Sequence, residues 1–263
     1  MISTGICYQA YIPMRKEPDE TSEMVNQVLF GESFSILEEL KPVNQSLIRL
    51  HHDNYDGWVN SNGIYKLSDI DWESLNKLPF RVSHEIISQV EPCTNTDPAI
   101  KIGCGSILRI SSPEKTIIGH SEYLIPKIPL NDPSKTRENL VKNGLKLLSL
   151  PYLWGGRGGF GFDCSGLCQN LYRQVGIEIP RDASVQAKLG HSVNFIDEVM
   201  PGDLAFFDNE EGNIIHVGMI LGEGKILHAS GMVKIDEIDH QGIFSKKQNR
   251  YTHQLRLIRK LAD

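Results

Sequence analysis

The chain has 263 residues and a formal net charge of −6, with no Lys/Arg run, which speaks against nucleic-acid or anionic-membrane binding. Its length allows two or three domains with a full core, and no apolar stretch is long enough to span a membrane. Five cysteines, odd in number and scattered, fit a reducing compartment better than a disulfide framework.

Met1-Ile-Ser-Thr-Gly-Ile-Cys-Tyr8 lacks the basic and apolar regions of a signal peptide, so the cytoplasm is the expected location, with the cell envelope as the alternative if a leader has been removed. Residues 1 to about 70 carry short β-like runs: Glu23 to Phe30, Ser33 to Leu37, Leu47 to Leu50, and Tyr55-Asp-Gly-Trp-Val59. Strands at that spacing predict a small barrel, and the Tyr-x-Gly-Trp-Val ending resembles bacterial SH3-like (SH3b) modules. Asp69 to Lys77 is expected to be a connecting helix. Residues 80 to 126 read as a second β-rich stretch in which Ile102 to Ile110 faintly echoes Phe30 to Leu37, predicting a diverged second SH3-like domain over 71–126. The prolines of Ile125-Pro-Lys-Ile-Pro-Leu-Asn-Asp-Pro133 favour an extended linker (127–133), with Asp132 and Pro133 opening a helix that runs to about Leu148.

Tyr152-Leu-Trp-Gly-Gly-Arg-Gly-Gly-Phe-Gly-Phe-Asp-Cys-Ser-Gly-Leu-Cys168 sets Cys164 between a glycine-rich loop and an amphipathic helix. Leu167, Cys168, Leu171, Tyr172 and Val175 fall on one helical face and Gly176 supplies the stop. Asp163 is a good N-cap residue, and the helix N-terminus puts partial positive charge beside the sulfur. Such placement can lower a thiol pKa from about 8.5 to as low as roughly 3.5 when a cation assists. A buried, inert thiol is the competing reading, and it suits Cys168.

A nucleophile needs a base. Ile214-Ile-His216-Val-Gly-Met-Ile-Leu221 reads as a strand, Gly222-Glu-Gly224 as a turn, and Lys225-Ile-Leu-His228-Ala-Ser230 as the returning strand. With a loop from Gly222 to Gly224, His228 faces Gly218, His216 faces Ser230, and both imidazoles share one face; a two-residue loop would put them on opposite faces. The remaining histidines, among them His51, His52, His84 and His191, are assigned to the surface or to packing. Cys164, His216 and His228 then take the roles of nucleophile, general base and acid, and orienting residue in acyl transfer. The Cys164 backbone N–H holds the oxyanion, with Tyr152 as a side-chain donor.

Two other readings are weaker. Metal binding by Cys164 with the two histidines lacks the paired spacings, such as C-x-x-C, of zinc sites. No cofactor or metal is expected. Gly156-Arg-Gly158-Gly-Phe-Gly161 fits G-x-G-x-x-G with Asp182 downstream, but Ser149-Leu-Pro151-Tyr-Leu-Trp154 is no β-branched strand and an acidic cap opposes a pyrophosphate.

The segments Pro151-Tyr-Leu-Trp-Gly-Gly156, Asp163-Cys-Ser-Gly166, Ile179-Pro-Arg181, Pro201-Gly-Asp203-Leu-Ala-Phe-Phe207, His216-Val-Gly218 and His228-Ala-Ser230 resemble those of the NlpC-type, papain-like cysteine peptidases of bacterial cell-wall metabolism. The likeness spans roughly residues 131 to 263. It implies an α+β fold, a papain-like peptidase domain (134–263) preceded by two small all-β SH3-like barrels. It also implies hydrolysis of amide bonds in peptidoglycan stem peptides, with Cys164, His216, His228 and Tyr152 as the catalytic set. A subgroup with two SH3-like domains cuts γ-D-glutamyl to L-diamino-acid bonds (lysine or diaminopimelate) and requires a free N-terminal L-alanine. In that subgroup Asp163, Ser165, Tyr55, Glu23 and Ser184 would contact substrate, although Ala183 blurs the match at Ser184. A role in recycling murein peptides is expected, and a monomer. The rivals are another papain-like amidase or acyltransferase, and an inactive wall-binding module.

Overall fold

Strands such as Tyr11–Arg15 alternate between buried and less buried positions, others such as Ile214–Gly222 are buried in continuous runs, and sheets dominate the fold. The computed structural model describes residues 3–94, 98–125 and 136–262. They divide into two compact units, Met1–Pro129 with Trp154–Phe160 (unit 1) and Leu130–Leu153 with Gly161–Asp263 (unit 2).

Unit 1 opens with seven strands: β1 (Ser3–Cys7), β2 (Tyr11–Arg15), β3 (Met24–Leu29), β4 (Ser33–Leu40), β5 (Gln45–Leu50), β6 (Asp56–Asn60) and β7 (Ile64–Leu67). They form an antiparallel sheet in the order β3-β2-β6-β5-β4-β1-β7. Ile12 and Met14 of β2, Val28, Phe34, Ile48 and Val59 point into its core, with Tyr55 packed against them. Helix α1 (Asp69–Asn76) follows, capped by Ser68 Oγ, which accepts from the Asp71 N–H. A second antiparallel sheet comprises β8 (Phe80–Val82), β9 (Ile87–Pro92), β10 (Ile100–Gly103), β11 (Ile107–Ser112), β12 (Lys115–Ile118) and β13 (Ser121–Leu124), in the order β10-β9-β13-β12-β11-β8. Ile6, Phe30 and Leu67 of the first sheet share one buried cluster with Val90, Ile102, Leu108 and Ile118 of the second. Both sheets fall in one unit.

The glycine-rich loop, Trp154–Phe160, falls in unit 1. Arg157, in β14 (Arg157–Gly158), is fully buried: Nε donates to Asn26 Oδ1 at 3.0 Å and to the Gln27 carbonyl at 2.9 Å, and Nη2 pairs with Glu32. Gly155 has φ +73°, and a Cβ there would stand 2.4 Å from the Met24 carbonyl oxygen; at Gly159 it would stand 1.8 Å from that of Ile86. These glycines allow close backbone approach within unit 1.

Unit 2 contains α2 (Thr136–Lys146), β15 (Gly161–Phe162), α3 (Cys164–Gln174), the short α4 (Ala183–Gln186) and β16 (His191–Val193), then β17 (Leu204–Asp208), β18 (Ile214–Gly222), β19 (Lys225–Ser230), β20 (Met232–Ile238), β21 (Gly242–Ser245) and β22 (Arg250–Lys260). The sheet order is β16-β22-β17-β18-β19-β20-β21, and β21 also pairs with β22, so six strands close on themselves. Ala205, Phe207, Ile220, Ile226, Ile243 and Ile258 form an apolar cluster of this sheet. Helix α3 is a core helix: Ser165 through Gln174 are all buried, and it packs on β18 and β19. The expected linker over 127–133 and the helix start at Asp132 and Pro133 lie outside the described residues; α2 begins at Thr136. No helix among the described residues is long and apolar enough to cross a membrane.

Candidate active site

Cys164 is the one residue of α3 that is not buried. Asp163 caps the helix, its Oδ1 accepting from the Gly166 N–H at 2.7 Å. The backbone N–H groups of Val217, on β18, and of Ser165 favour the charged form of the Cys164 sulfur. Burial and the neighbouring Asp163 carboxylate nonetheless push the thiol up to about 11, against the opposing pull of those N–H groups and Arg181. Burial and the acidic cap thus act against the lowering expected at a helix N-terminus.

Val217 follows His216, so the thiol lies against the strand that carries the base. Gly218 faces His228 across the β18–β19 pair, as the hairpin reading predicts. The turn itself is shorter than expected. Glu223 and Gly224 both have positive φ (51° and 65°), the two-residue geometry of a tight hairpin, and a register shift between Ile220 and Gly222 keeps both histidines on one face. A Cβ at Gly218 would come within 2.9 Å of His228 Cβ, so the missing side chain makes room for the second imidazole.

His216 Nε2 lies 2.9 Å from His228 Nδ1, and His228 Nε2 lies 3.1 Å from Asp236 Oδ2 on β20. Lys234 Nζ reaches the same carboxylate oxygen at 2.9 Å. With Nε2 engaged, Nδ1 is the ring nitrogen of His216 left to serve the thiol. Burial lowers both imidazoles below the usual 6.5; for His216, His253, His228 and Lys234 lower it further, whereas Asp236 partly offsets the effect at His228. Both rings are therefore neutral at neutral pH. Asp236 is held below the ordinary carboxylate range: burial raises it, but the hydrogen bonds from His228 and Lys234 outweigh burial.

Tyr152 is half-buried, with its hydroxyl pushed up to about 12 by burial and by Cys164 and Asp163, so it stays protonated and able to donate. Asp163 and Ser165 are buried beside the nucleophile, and both are bound by Arg181: Nη1 donates to Asp163 Oδ1 at 3.0 Å and to Ser165 Oγ at 2.7 Å, and Nη2 pairs with Asp163 Oδ2. Ser184 is exposed on α4. Glu23 and Tyr55 belong to unit 1, where Glu23 accepts from Trp154 Nε1 at 2.8 Å and Tyr55 packs on the first sheet's core.

Sequence reasoning missed three residues. Arg181 enters the sequence only as the end of the Ile179-Pro-Arg181 segment. Asp236 was unassigned, although the alternation Lys234-Ile-Asp236 marks the polar face of the strand after His228. His253, assigned to surface or packing, is corrected: its ring stacks on His216 with centroids 4.2 Å apart and planes at 23°. Among the described residues, no group of three or more His, Cys, Asp and Glu is arranged to hold a metal ion.

Residues 149–254 match the NlpC/P60 family, and residues 14–64 match the bacterial dipeptidyl-peptidase SH3 domain. The gamma-D-glutamyl-L-lysine dipeptidyl-peptidase of Bacillus subtilis (strain 168) is 32% identical over 234 residues, 81% of this chain and 74% of that protein. Dipeptidyl-peptidase 6 of Lysinibacillus sphaericus is 30% identical over 246 residues, 86% of this chain and 88% of that protein. The crystal structure of a NlpC/P60 family protein from Bacillus cereus ATCC 10987 has the same fold, with a TM-score of 0.83 at 19% identity over 98% of this chain and 99% of that one. The class is that of a hydrolase, and within it a peptidase. The chain belongs to the NlpC/P60 family, and carries an SH3-like domain ahead of the family's fold.

Proposed function

We propose that the protein is a cysteine peptidase that hydrolyses the γ-D-glutamyl–L-diamino acid bond of peptidoglycan stem peptides bearing a free N-terminal L-alanine, releasing L-Ala-γ-D-Glu during murein peptide turnover in the cytoplasm. The observation that carries the thiol chemistry is the position of Cys164 at the start of α3, the helix that packs on β18, beside a His216 whose far nitrogen is held by His228. The substrate half rests on the names of the two long-matching relatives. We read unit 2 as papain-like and the β8–β13 sheet as a diverged SH3-like barrel.

The Cys164 proton passes to His216 Nδ1 as the sulfur attacks the amide carbonyl. The Cys164 backbone N–H and the Tyr152 hydroxyl stabilise the oxyanion. The C–N bond breaks as His216 returns its proton to the leaving amine. Water then adds to the thioester, giving its proton to the same nitrogen, and collapse restores the thiol. Asp163 and Ser165 bind the alanine ammonium, with the Asp163 charge shared with Arg181. For Tyr55, Glu23 and Ser184 the substrate role rests on the resemblance alone.

The test is mass-spectrometric product analysis of L-Ala-γ-D-Glu-L-Lys, its diaminopimelate form and the N-acetylated twins, with native protein and Cys164→Ala. Release of L-Ala-D-Glu from the free-amine peptides only, lost in the variant, is expected. Equal cleavage of the acetylated peptides would remove the ammonium role; no cleavage of any would remove the reading.

A further inference from the structure

Three polar side chains meet on one face of the β18–β19–β20 region. His228 faces Lys234 across the β19–β20 pair, and Asp236 lies two residues further along the same strand and face. Asp236 Oδ2 therefore receives both His228 Nε2 at 3.1 Å and Lys234 Nζ at 2.9 Å, while the other ring nitrogen of His228 points at His216.

The directions of these hydrogen bonds are not independent. An ionised carboxylate only accepts, so His228 Nε2 must carry the proton that bonds to Asp236. A neutral imidazole has one N–H, so His228 Nδ1 is bare and accepts. The facing atom, His216 Nε2, must then be the donor, and His216 Nδ1 is left bare. That is the form of imidazole able to take a proton from a thiol. The opposite tautomer of His216, with the proton on Nδ1, would place two bare nitrogens 2.9 Å apart and present an N–H to the thiol.

We propose that Asp236 is a positioning residue: acting through His228, it fixes the tautomers of both imidazoles so that His216 presents an unprotonated Nδ1 to Cys164. Lys234 keeps the carboxylate charged and thereby acceptor-only. The groups facing His228 are His216 on β18, Lys234 and Asp236 on β20, and His253 on β22, whose ring centroid is 5.8 Å away. Burial holds His228 neutral, the condition the single-proton argument requires.

This role builds on the reading of Cys164 and His216 as nucleophile and base, and its test has one arm that needs no turnover. Nitrogen NMR of the full chain labelled in its histidines reads each ring nitrogen as protonated or bare. The expected pattern at neutral pH is protonated Nε2 and bare Nδ1 in both His216 and His228. In Asp236→Asn, with folding checked by circular dichroism, the His228 signals should shift towards a mixture of tautomers. In parallel, kcat on L-Ala-γ-D-Glu-L-Lys should fall at least about tenfold with KM within about twofold, a smaller loss than the ~10⁴ seen when an orienting carboxylate contacts the base directly. Asp236→Glu, which keeps the charge, should recover part of kcat. A native protein whose His228 carries its proton on Nδ1, or an Asp236→Asn variant with native tautomers and native kcat, would overturn the proposal. If the native protein cleaves nothing yet its tautomers shift in the variant, the lock stands and the peptidase assignment of the site fails.

Discussion

The ring of His253 lies face to face with that of His216, 4.2 Å between centroids, while Phe207 packs near both at 5.9 Å. This stack shields the base from water and adds a second imidazole whose protonation would oppose that of His216. In His253→Phe the shielding is kept and the like charge removed. The acid limb of kcat/KM should then move to higher pH, staying below about 6.5 because burial still acts on His216. A profile unchanged by the substitution, measured from pH 4 to 8, would show that His253 has no electrostatic hold on the base.

Cys164, at about 11, should be a slow nucleophile towards iodoacetamide at pH 7, and its alkylation rate should keep rising roughly tenfold per pH unit until about pH 10. Peptide-resolved mass spectrometry is needed, because Cys93 is exposed whereas Cys7 and Cys168 are buried. A rate that levels off near pH 7 would mean an ion pair with His216 already present at rest.

Arg181 and Asp163 form a buried pair, their side chains 2% and 10% exposed. Arg181→Met strands the Asp163 carboxylate and should destabilise the protein by about 3–5 kcal/mol. Asp163→Asn, which keeps an acceptor for the helix cap, should cost less than Asp163→Ala. Urea unfolding of the three variants gives the order; a loss under about 1 kcal/mol for Arg181→Met would refute the pairing argument.

The fold should weaken in mild acid. His253 is depressed from 6.5 to about 4, chiefly by burial, and His216 and His228 are lowered in the same direction. The unfolded chain takes up these protons near 6.5 and the folded chain only well below it, so stability present above about 6.5 is lost as pH falls through the folded values. Melting temperature should decline from pH 7 towards pH 4, and the decline should be shallower in His253→Phe. An equal slope in the two proteins would count against His253 as a contributor.

The helix after Cys164 and the His216–His228 hairpin are legible in the sequence because each rests on local rules: one apolar face at helical spacing, and alternation either side of a glycine turn. Arg181, Asp236 and His253 are not, since each reaches the site through pairing between strands or through a loop distant in sequence from its partner. The sign of the Cys164 shift is not legible for another reason. A helix N-terminus and an acidic cap act in opposite directions on a thiol, and burial, which decides between them, is a property of the whole fold. The glycines before Phe162 were also ambiguous, because close backbone approach and phosphate binding ask for the same residue.

The bulge beside the Glu223–Gly224 turn makes the site depend on parity. Strand faces alternate residue by residue, so removing or adding one residue at this turn without a compensating bulge would send His228 to the far side of the sheet from His216. Adding two would keep the imidazoles together. A solvent-side connection that touches neither histidine thus tolerates an odd change in length only where a bulge restores the register.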